Sequence, residues 1–176
     1  MAILEQLVQF RSEKNLEFMV IGGHAVISHG YSRRTLDLDI LIPKADGHVW
    51  KEYVLGLGYS LLFETDNFFQ CTAPERASWP LDFMMVKPET FTKFKFEAVP
   101  VLIQGVQVSV PSIKHLIALK LHAMKSGQRS RMFRDMDDVI NLIQLNKMDV
   151  KSDEFKNLCQ TYGNAELYEY LLRARP

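Results

Sequence analysis

Two aspartates separated by a single residue give the sequence its clearest sign of chemistry. Asp37 and Asp39 lie in the stretch Leu36–Ile42, which begins with alternating apolar and acidic residues and stops at Pro43, as a β-strand would. Residues two apart in a strand project to the same face, so both carboxylates point the same way. Such close negative charges repel unless a cation lies between them, and Mg²⁺ prefers oxygen ligands and also takes substrate phosphates. The spacing predicts a metal site, and the alternative is a solvated pair on a sheet edge.

A third aspartate stands in a run that is otherwise almost entirely apolar. Asp82 lies within Trp79–Val86, which we interpret as a further strand, and an unpaired carboxylate there would be costly to bury. Three carboxylates from two neighbouring strands could hold two ions, which stabilise the attacking and leaving oxygens of an in-line phosphoryl transfer. We therefore predict that Asp37, Asp39 and Asp82 are catalytic metal ligands. If Asp82 lies on a loop or helix instead, this site does not form.

A glycine pair and a short polar segment precede the aspartates. Gly22 and Gly23 follow an apolar run, Leu16–Ile21, and glycines at such a turn let the backbone and the next helix start approach a phosphate. His24 stands beside them, either lining the same pocket or packed as an ordinary hydrogen-bonded histidine. A lone glycine pair is usually only a turn, so the order and spacing of the whole set carry the prediction.

The segment between the glycines and the aspartates supplies candidate phosphate ligands. Arg33 and Arg34 could contact a triphosphate, and Thr35 could hold the loop, although arginines in a loop are by default solvated surface charges.

This order of motifs resembles the nucleotidyltransferase superfamily that includes DNA polymerase beta. Ile21-Gly22-Gly23, a gap of thirteen residues and then Asp37-Leu38-Asp39-Ile40 match that signature at the long end of its gap. The form Gly-Gly-His-Ala-Val with Arg-Arg-Thr-Leu-Asp-Leu-Asp-Ile looks most like the small bacterial branch of AbiEii-type toxins. Lincosamide-type antibiotic nucleotidyltransferases look similar over the same stretch. Much of the superfamily has Ser where Gly23 stands, so here only backbone meets the phosphate.

The resemblance implies a fold, a reaction and roles for residues. It implies an α/β (α+β) fold with a nucleotidyltransferase-type mixed sheet, flanking helices and a C-terminal helical part. It places Gly22 and Gly23 at the nucleotide phosphates, and Asp82 as the base for the attacking hydroxyl. The implied reaction moves a nucleoside monophosphate from an NTP to a hydroxyl of an RNA or tRNA end, a protein or a small molecule. The implied cofactor is Mg²⁺, as two ions, and the toxin branch adds an antitoxin partner.

The helical half offers a looser match. The AbiEii-like interpretation places Lys120 at the nucleotide phosphates, with Asp135 and Asp138 orienting Lys120 or an arginine such as Arg134. Asp135 and Asp138 are three residues apart and so share a helix face. The alternative is a salt-bridged pair of helices that joins the two halves.

The elements that must position these residues follow from hydrophobic spacing. We expect a mixed α/β core over residues 1–110 and a helical part over residues 111–176, because the pattern changes at Pro111. The expected strands are 16–21, 36–42, 59–63, 67–72, 79–86, 94–99 and 106–110. The expected helices begin at 3, 24, 46, 113, 132, 153 and 165, with a break at Gly127.

Composition narrows the class of protein. The chain of 176 residues is 47% hydrophobic and has zero net charge, with 21 basic and 21 acidic residues, so it is not a general polyanion binder. No apolar run approaches the roughly 20 residues of a membrane span, and no signal peptide is evident. Cys71 and Cys159 match no disulfide framework or zinc motif, which predicts free thiols in a reducing cytoplasm.

Three hypotheses remain on the sequence alone. The first is a Mg²⁺-dependent nucleotidyltransferase. The second is a non-catalytic nucleotide-binding or regulatory module of the same fold, although such a module would have no use for three carboxylates. The third is an unrelated α/β structural or interaction protein in which the spacing of the aspartates is coincidental.

Overall fold

The computed structural model describes residues 2–75, 78–125 and 129–174, with backbone alone for 129–131. The chain divides into two compact units. One unit comprises Met1–Ser28 and Arg33–Ser112, and the other comprises His29–Ser32 and Ile113–Pro176. Within the described part of the chain, each helix is too short or too polar to cross a lipid bilayer.

A five-stranded mixed sheet forms the centre of the first unit. Its strands are β1 (Met19–Val20), β2 (Leu38–Pro43), β3 (Ser60–Thr65), β4 (Phe68–Thr72) and β5 (Leu81–Val86). The order across the sheet is β1-β2-β5-β4-β3, with β2 and β5 parallel and every other neighbouring pair antiparallel. The parallel pair at the centre is buried most deeply, because Leu38, Ile40, Leu81 and Phe83 have no exposed surface. The structure thus confirms the α/β fold with a mixed sheet.

Helices and a second small sheet flank this sheet. The helices are α1 (Ile3–Lys14), α2 (Gly22–Ser28), α3 (Gly47–Gly56) and α4 (Pro88–Phe96). A hairpin of β6 (Val99–Ile103) and β7 (Val106–Val110) forms the second sheet, and β7 packs against β1. Trp50 of α3 is fully buried between Phe10, Phe18 and Phe83, so aromatic packing joins two helices to the sheet.

The second unit is helical. It contains α5 (Ile113–Lys125), α6 (Arg129–Leu145), α7 (Asp153–Tyr162) and α8 (Ala165–Arg173). Ser152 and Asn164 cap α7 and α8 by accepting hydrogen bonds from backbone N–H groups three residues on. The loop His29–Ser32 belongs to this unit, since the Tyr31 hydroxyl donates a 2.6 Å hydrogen bond to Asp137.

One expected strand is wrong. Residues 94–99 were expected to be extended, but Pro88–Phe96 is a helix and a strand begins only at Val99. Pro88 stands in the first turn, where its missing N–H costs nothing, and Phe91 and Phe94 are three residues apart on the buried face. The alternation of Phe94 and Phe96 suggests a strand, yet Phe96 is 91% exposed.

The other elements agree with the expectations, apart from their bounds. The strand expected over 16–21 has ladder pairing only at Met19–Val20, and the strand expected from Leu36 begins at Leu38. The expected break at Gly127 lies outside the described residues.

Candidate active site

The central parallel strands bring two of the predicted aspartates together. Asp39 of β2 and Asp82 of β5 are register partners, so their side chains leave the sheet on the same face. Asp82 is 1% exposed, whereas Asp39 is half-buried. Leu38 and Leu81, their neighbours, face the opposite side and are fully buried, which holds the register of this pair.

Asp37 completes a group of three carboxylates. It precedes β2 rather than lying within it, and it is half-buried. One carboxylate oxygen from each of Asp37, Asp39 and Asp82 lies within 4.8 Å of the other two. The structure therefore brings all three predicted carboxylates together, from the segments where we expected them.

Gly22 places a tight turn directly against this group. Its φ of +59° lies in the left-handed region, and a Cβ there would stand 1.9 Å from Oδ2 of Asp39. The Ile21 N–H donates a 2.9 Å hydrogen bond to the Asp39 carbonyl, which holds the turn to β2. The turn and the Asp39 carboxylate thus fit only because residue 22 has no side chain.

Gly23 makes the same kind of close approach to the segment before β2. A Cβ on Gly23 would lie 2.3 Å from Oγ1 of Thr35 and 3.2 Å from a guanidinium nitrogen of Arg33. The Thr35 hydroxyl donates a 3.0 Å hydrogen bond to Oδ1 of Asp37. Thr35 therefore links the glycine turn to the carboxylates.

The two arginines of this segment differ in position. Arg33 is half-buried beside Gly23, and its Nη1 donates a 2.9 Å hydrogen bond to the carbonyl of Arg34. The side chain of Arg34 is exposed. Arg33, Thr35 and Asp37 alternate with exposed residues, so the inward face of the extended segment holds one cation, one hydroxyl and one carboxylate.

His24 lies at the other side of the turn, against an aromatic side chain that sequence analysis did not single out. Its ring centroid is 4.5 Å from that of Trp79, which precedes β5. Burial lowers the pKa of His24, the charge of Asp37 opposes that shift, and Arg33 adds to it, so the imidazole is neutral at pH 7. No motif in the sequence links Trp79 to His24, which lies 55 residues earlier in the chain.

Lys120 occupies a buried ion-pair cluster in the helical unit. Its ammonium group donates to Asp135 at 2.8 Å and contacts Asp138 at 2.6 Å, so it joins α5 to α6. The Lys120 side chain is 7% exposed and that of Asp138 is fully buried. Arg134 on the same helix is exposed. The predicted association of Lys120, Asp135 and Asp138 is present, as a link between two helices.

The carboxylate group suits a hard divalent cation. It offers oxygen ligands alone, close enough together for each to reach a common ion, and Mg²⁺ is bound through such carboxylates. The glycine turn packs directly against the group, because backbone rather than a side chain meets Asp39 and Thr35 there. The residues present therefore fit a hard divalent cation held by oxygen ligands.

Comparison with solved structures identifies the fold. The antibiotic-resistance factor ANT(2'')-Ia matches with a TM-score of 0.56 and 17% identity, over 97% of this chain and 88% of that one. An antigenic nucleotidyltransferase-like protein from Paracoccidioides brasiliensis matches at 0.56 and 16%, over 98% and 91%. The lincosamide antibiotic adenylyltransferase LnuA, solved with lincomycin, matches at 0.57 and 12%, over 81% and 95%.

These likenesses define the fold of the chain as that of nucleotidyltransferases. At identities of 12–17% they establish architecture and no more. No protein-family model matches the sequence, and no curated protein matches it.

Proposed function

We propose that this chain is a Mg²⁺-dependent nucleotidyltransferase that moves a nucleoside monophosphate from an NTP to an acceptor hydroxyl. The convergence of Asp37, Asp39 and Asp82 next to the glycine turn carries the proposal. The nucleotidyltransferase fold of ANT(2'')-Ia and LnuA supports it. A fold alone does not define an activity, so the proposed reaction depends on the three carboxylates and the glycine turn.

Asp37 and Asp39 would be ligands for the metal, and Asp82 would be a third ligand. When bound, two Mg²⁺ ions would neutralise the charge that builds up on the attacking and leaving oxygens. Gly22 and Gly23 would give the phosphates access to backbone N–H groups, and Arg33 would pair with a phosphate oxygen. Thr35 would hold Asp37 in place by its hydrogen bond.

The residues then have defined roles in an in-line displacement. The acceptor hydroxyl oxygen forms a bond to the α-phosphorus, and the bond from that phosphorus to the bridging oxygen of pyrophosphate breaks. Asp82 would take the hydroxyl proton, and pyrophosphate would leave with the electron pair of the broken bond. His24, whose pKa is lowered by burial, would line the pocket beside the phosphates.

We infer that the acceptor is a small hydroxylated molecule. LnuA is described with lincomycin bound, and ANT(2'')-Ia with adenylyl-2''-tobramycin. The zero net charge of this chain also disfavours a large RNA surface. The AbiEii-like resemblance adds Lys120 at the nucleotide phosphates, with Asp135 and Asp138 orienting Lys120 or an arginine such as Arg134. Arg34, in the loop before Asp37, would contact the triphosphate.

The same resemblance suggests a toxin with an antitoxin partner, acting on RNA or protein. An NTP substrate and two buried thiols, Cys71 and Cys159, fit a cytoplasmic location. The toxin inference depends on the choice of acceptor and is tested with it.

Nucleotide transfer is tested with the purified chain, Mg²⁺ and each of four NTPs labelled at the α-phosphate. The acceptors are an aminoglycoside, a lincosamide, total RNA and a cell protein extract. We expect pyrophosphate release with transfer of label to one acceptor, and loss of both in Asp39→Asn but not in the matched surface variant Asp66→Asn. Metal-dependent NTP binding without transfer to any acceptor would favour the non-catalytic module. Absence of NTP binding would contradict both.

A further inference from the structure

The face of the main sheet that carries Asp82 continues past it onto two further strands. Asp39 of β2 is the register partner of Asp82 of β5, and Asp82 is in turn the partner of Gln70 of β4. On the far side of β4, Gln70 pairs with Phe63 of β3. Register partners project from the same face of a sheet, with Cβ atoms about 5 Å apart. These side chains therefore form a row across four strands, which runs from the candidate metal ligands to an amide and an aromatic ring.

The side-chain amide of Gln70 is available to a ligand. It is half-buried, and it makes no hydrogen bond to any residue that the structure describes. Two threonine hydroxyls on the same face are already engaged, since Thr65 donates to the carbonyl of Phe68 and Thr72 to that of Ser60. An amide can both donate to a hydroxyl group and accept from one. Gln70 can therefore bind a hydroxylated molecule next to Asp82.

Two aromatic rings lie beside this amide. Phe68 stands two residues before Gln70 in β4, so it projects from the same face, and its ring centroid is 6.4 Å from that of Phe63. Phe63 is 54% exposed and Phe68 is half-buried. Aromatic rings with a few well-placed polar groups are the usual lining of small-molecule sites. We call Gln70, Phe63 and Phe68 the Gln70 platform.

The Gln70 platform and its strands present no charge on this face. The residues of β3 and β4 that project here are all uncharged: Ser60, Phe63, Thr65, Phe68, Gln70 and Thr72. Glu64 pairs with Phe69 and so projects from the opposite face, where Lys51 of α3 contacts its carboxylate at 2.6 Å. An RNA backbone needs cations and the ammonium groups of an amino sugar need carboxylates, and these strands offer neither here. The platform therefore fits an uncharged ligand.

The platform lies on the side of the carboxylates away from the glycine turn. Gly22 follows β1, which pairs with β2, whereas β4 and β3 lie beyond β5. In the proposed reaction the pyrophosphate leaves toward the glycine turn, and the attacking hydroxyl approaches the α-phosphorus from the opposite side. A molecule that brings its hydroxyl to Asp82 from that side lies over β4 and β3.

We propose that the Gln70 platform binds the acceptor, and that the acceptor is an uncharged hydroxylated ring of the neutral-sugar class. This inference rests on the proposed function and narrows its acceptor. The Gln70 amide hydrogen-bonds one hydroxyl of the ring, and the C–H face of the ring packs on Phe63 and Phe68. Asp82 and Phe63 are two strand spacings apart, about 10 Å, so one small molecule reaches both.

Sugar binding to the full chain tests the platform without turnover. The probes are uncharged methyl glycosides, the corresponding amino-sugar glycosides and an RNA trinucleotide, each titrated with Mg²⁺, with and without a nonhydrolysable NTP analogue, and followed by saturation-transfer difference NMR. We expect an uncharged glycoside to bind, about tenfold more weakly in Gln70→Met, which keeps the length of the side chain and loses its hydrogen bonds. Gln107→Met changes an exposed glutamine of β7 and should bind like the natural chain.

A second variant and a kinetic measurement separate ligand binding from a structural role. Phe63→Ala should also weaken glycoside binding by about tenfold, and its exposed position leaves the fold intact. In turnover with the acceptor, Gln70→Met should raise the KM for the acceptor about tenfold and leave the KM for the NTP unchanged. A distorted sheet would change both.

Three results would overturn the proposal: a natural chain that binds no uncharged glycoside, equal binding in Gln70→Met, or a preference for the amino sugars or the RNA. Failure of the proposed function gives a different result. A chain that binds the glycoside through Gln70 but binds no NTP would contradict nucleotide transfer and still support a sugar site at the platform.

Discussion

At the scale of single residues, Asp39 occupies the most constrained position in the candidate site. Its carboxylate lies against the glycine turn, it faces Asp82 across the parallel strands, and its backbone carbonyl holds Ile21. Three carboxylates so close repel one another without a cation. The site should therefore be less stable than its surroundings until a metal binds.

The first prediction concerns that repulsion. Asp39→Asn removes one of the three charges while keeping the size of the side chain. In metal-free buffer its Tm should equal or exceed that of the natural chain, and Mg²⁺ should raise the Tm of the natural chain only. Transferase activity should fall by about a thousandfold or more, because a metal ligand is worth several kcal/mol in the transition state. Thermal shift and label transfer measure these effects.

A loss of folding in Asp39→Asn would instead assign that residue a structural role. Asp66→Asn, on the exposed hairpin turn, controls for the loss of any surface carboxylate.

The second prediction concerns Gly22. Gly22→Ala should lower the free energy of unfolding by about 2 kcal/mol or more, since its φ is positive and the new methyl group would overlap the Asp39 carboxylate. Urea denaturation measures the change. The matched control is Gly56→Ala, because Gly56 ends a helix with open space around it and alanine there should be neutral or stabilising. Equal effects at the two positions would contradict the close approach of the turn to Asp39.

At the scale of elements, the helical unit depends on a buried cluster of three charges. Lys120 of α5 is shared between Asp135 and Asp138 of α6. A buried ion pair contributes little net stability compared with apolar packing, but removal of one partner leaves an uncompensated charge. Lys120 contacts both carboxylates, so its loss breaks two ion pairs at once.

The third prediction follows from that shared contact. Lys120→Met should destabilise the chain by about 3–5 kcal/mol, because the substitution removes the ammonium group that the fully buried Asp138 and the partly buried Asp135 both contact. Chemical denaturation followed by circular dichroism measures the loss. The triple variant Lys120→Met, Asp135→Asn, Asp138→Asn should recover part of it, since neither substituted carboxylate then carries a charge.

If Lys120→Met is as stable as the natural chain but binds NTP more weakly, the lysine serves the nucleotide instead of the helix pair. Stability and nucleotide affinity are therefore measured on the same variant.

At the scale of the whole molecule, one buried thiol lies in each of the two units. Burial raises the pKa of Cys71 to about 11, and the charge of Asp82 adds to that shift. Burial also raises the pKa of Cys159 to about 11. A thiol that ionises in the unfolded chain near its ordinary pKa of 9.0 stays protonated in the folded chain until higher pH.

The fourth prediction is a loss of stability in alkali. Between pH 9 and pH 11 the unfolded chain binds fewer protons than the folded chain, so the free energy of unfolding falls as pH rises. Below pH 9 both thiols are protonated in both states and the effect vanishes. Urea denaturation across pH 8–11 should show a shallower decline in Cys71→Ala/Cys159→Ala than in the natural chain. Tyr53 and Tyr59, whose pKa burial also raises, account for a remaining decline.

An identical pH dependence in the natural chain and the double variant would contradict the buried thiols as its source. The comparison uses the slope of the free energy of unfolding against pH. A constant loss of stability from the smaller alanine side chains therefore does not affect it.

Local patterns in the sequence were enough to anticipate the main elements and the carboxylates. The alternation around Asp37 and Asp39, the apolar run around Asp82 and the glycine pair each depend on residues within one segment, where period and burial are linked directly. The helices expected to begin at 153 and 165 begin there, directly after Ser152 and Asn164, whose side chains cap them. The expectation of a strand over 94–99 was wrong because Phe94 fits two patterns. It has helical spacing with Phe91 and alternating spacing with Phe96, and the structure forms the helix.

Only the tertiary structure decided how those segments meet. The sequence by itself determined that two acidic segments and a glycine turn exist and that each is extended or bent in the expected way. It could not determine that β2 and β5 are parallel neighbours, that Asp39 and Asp82 share a register, or that Trp79 packs on His24. Pairing between strands about forty residues apart depends on burial shared by the whole sheet, and no local pattern contains that information.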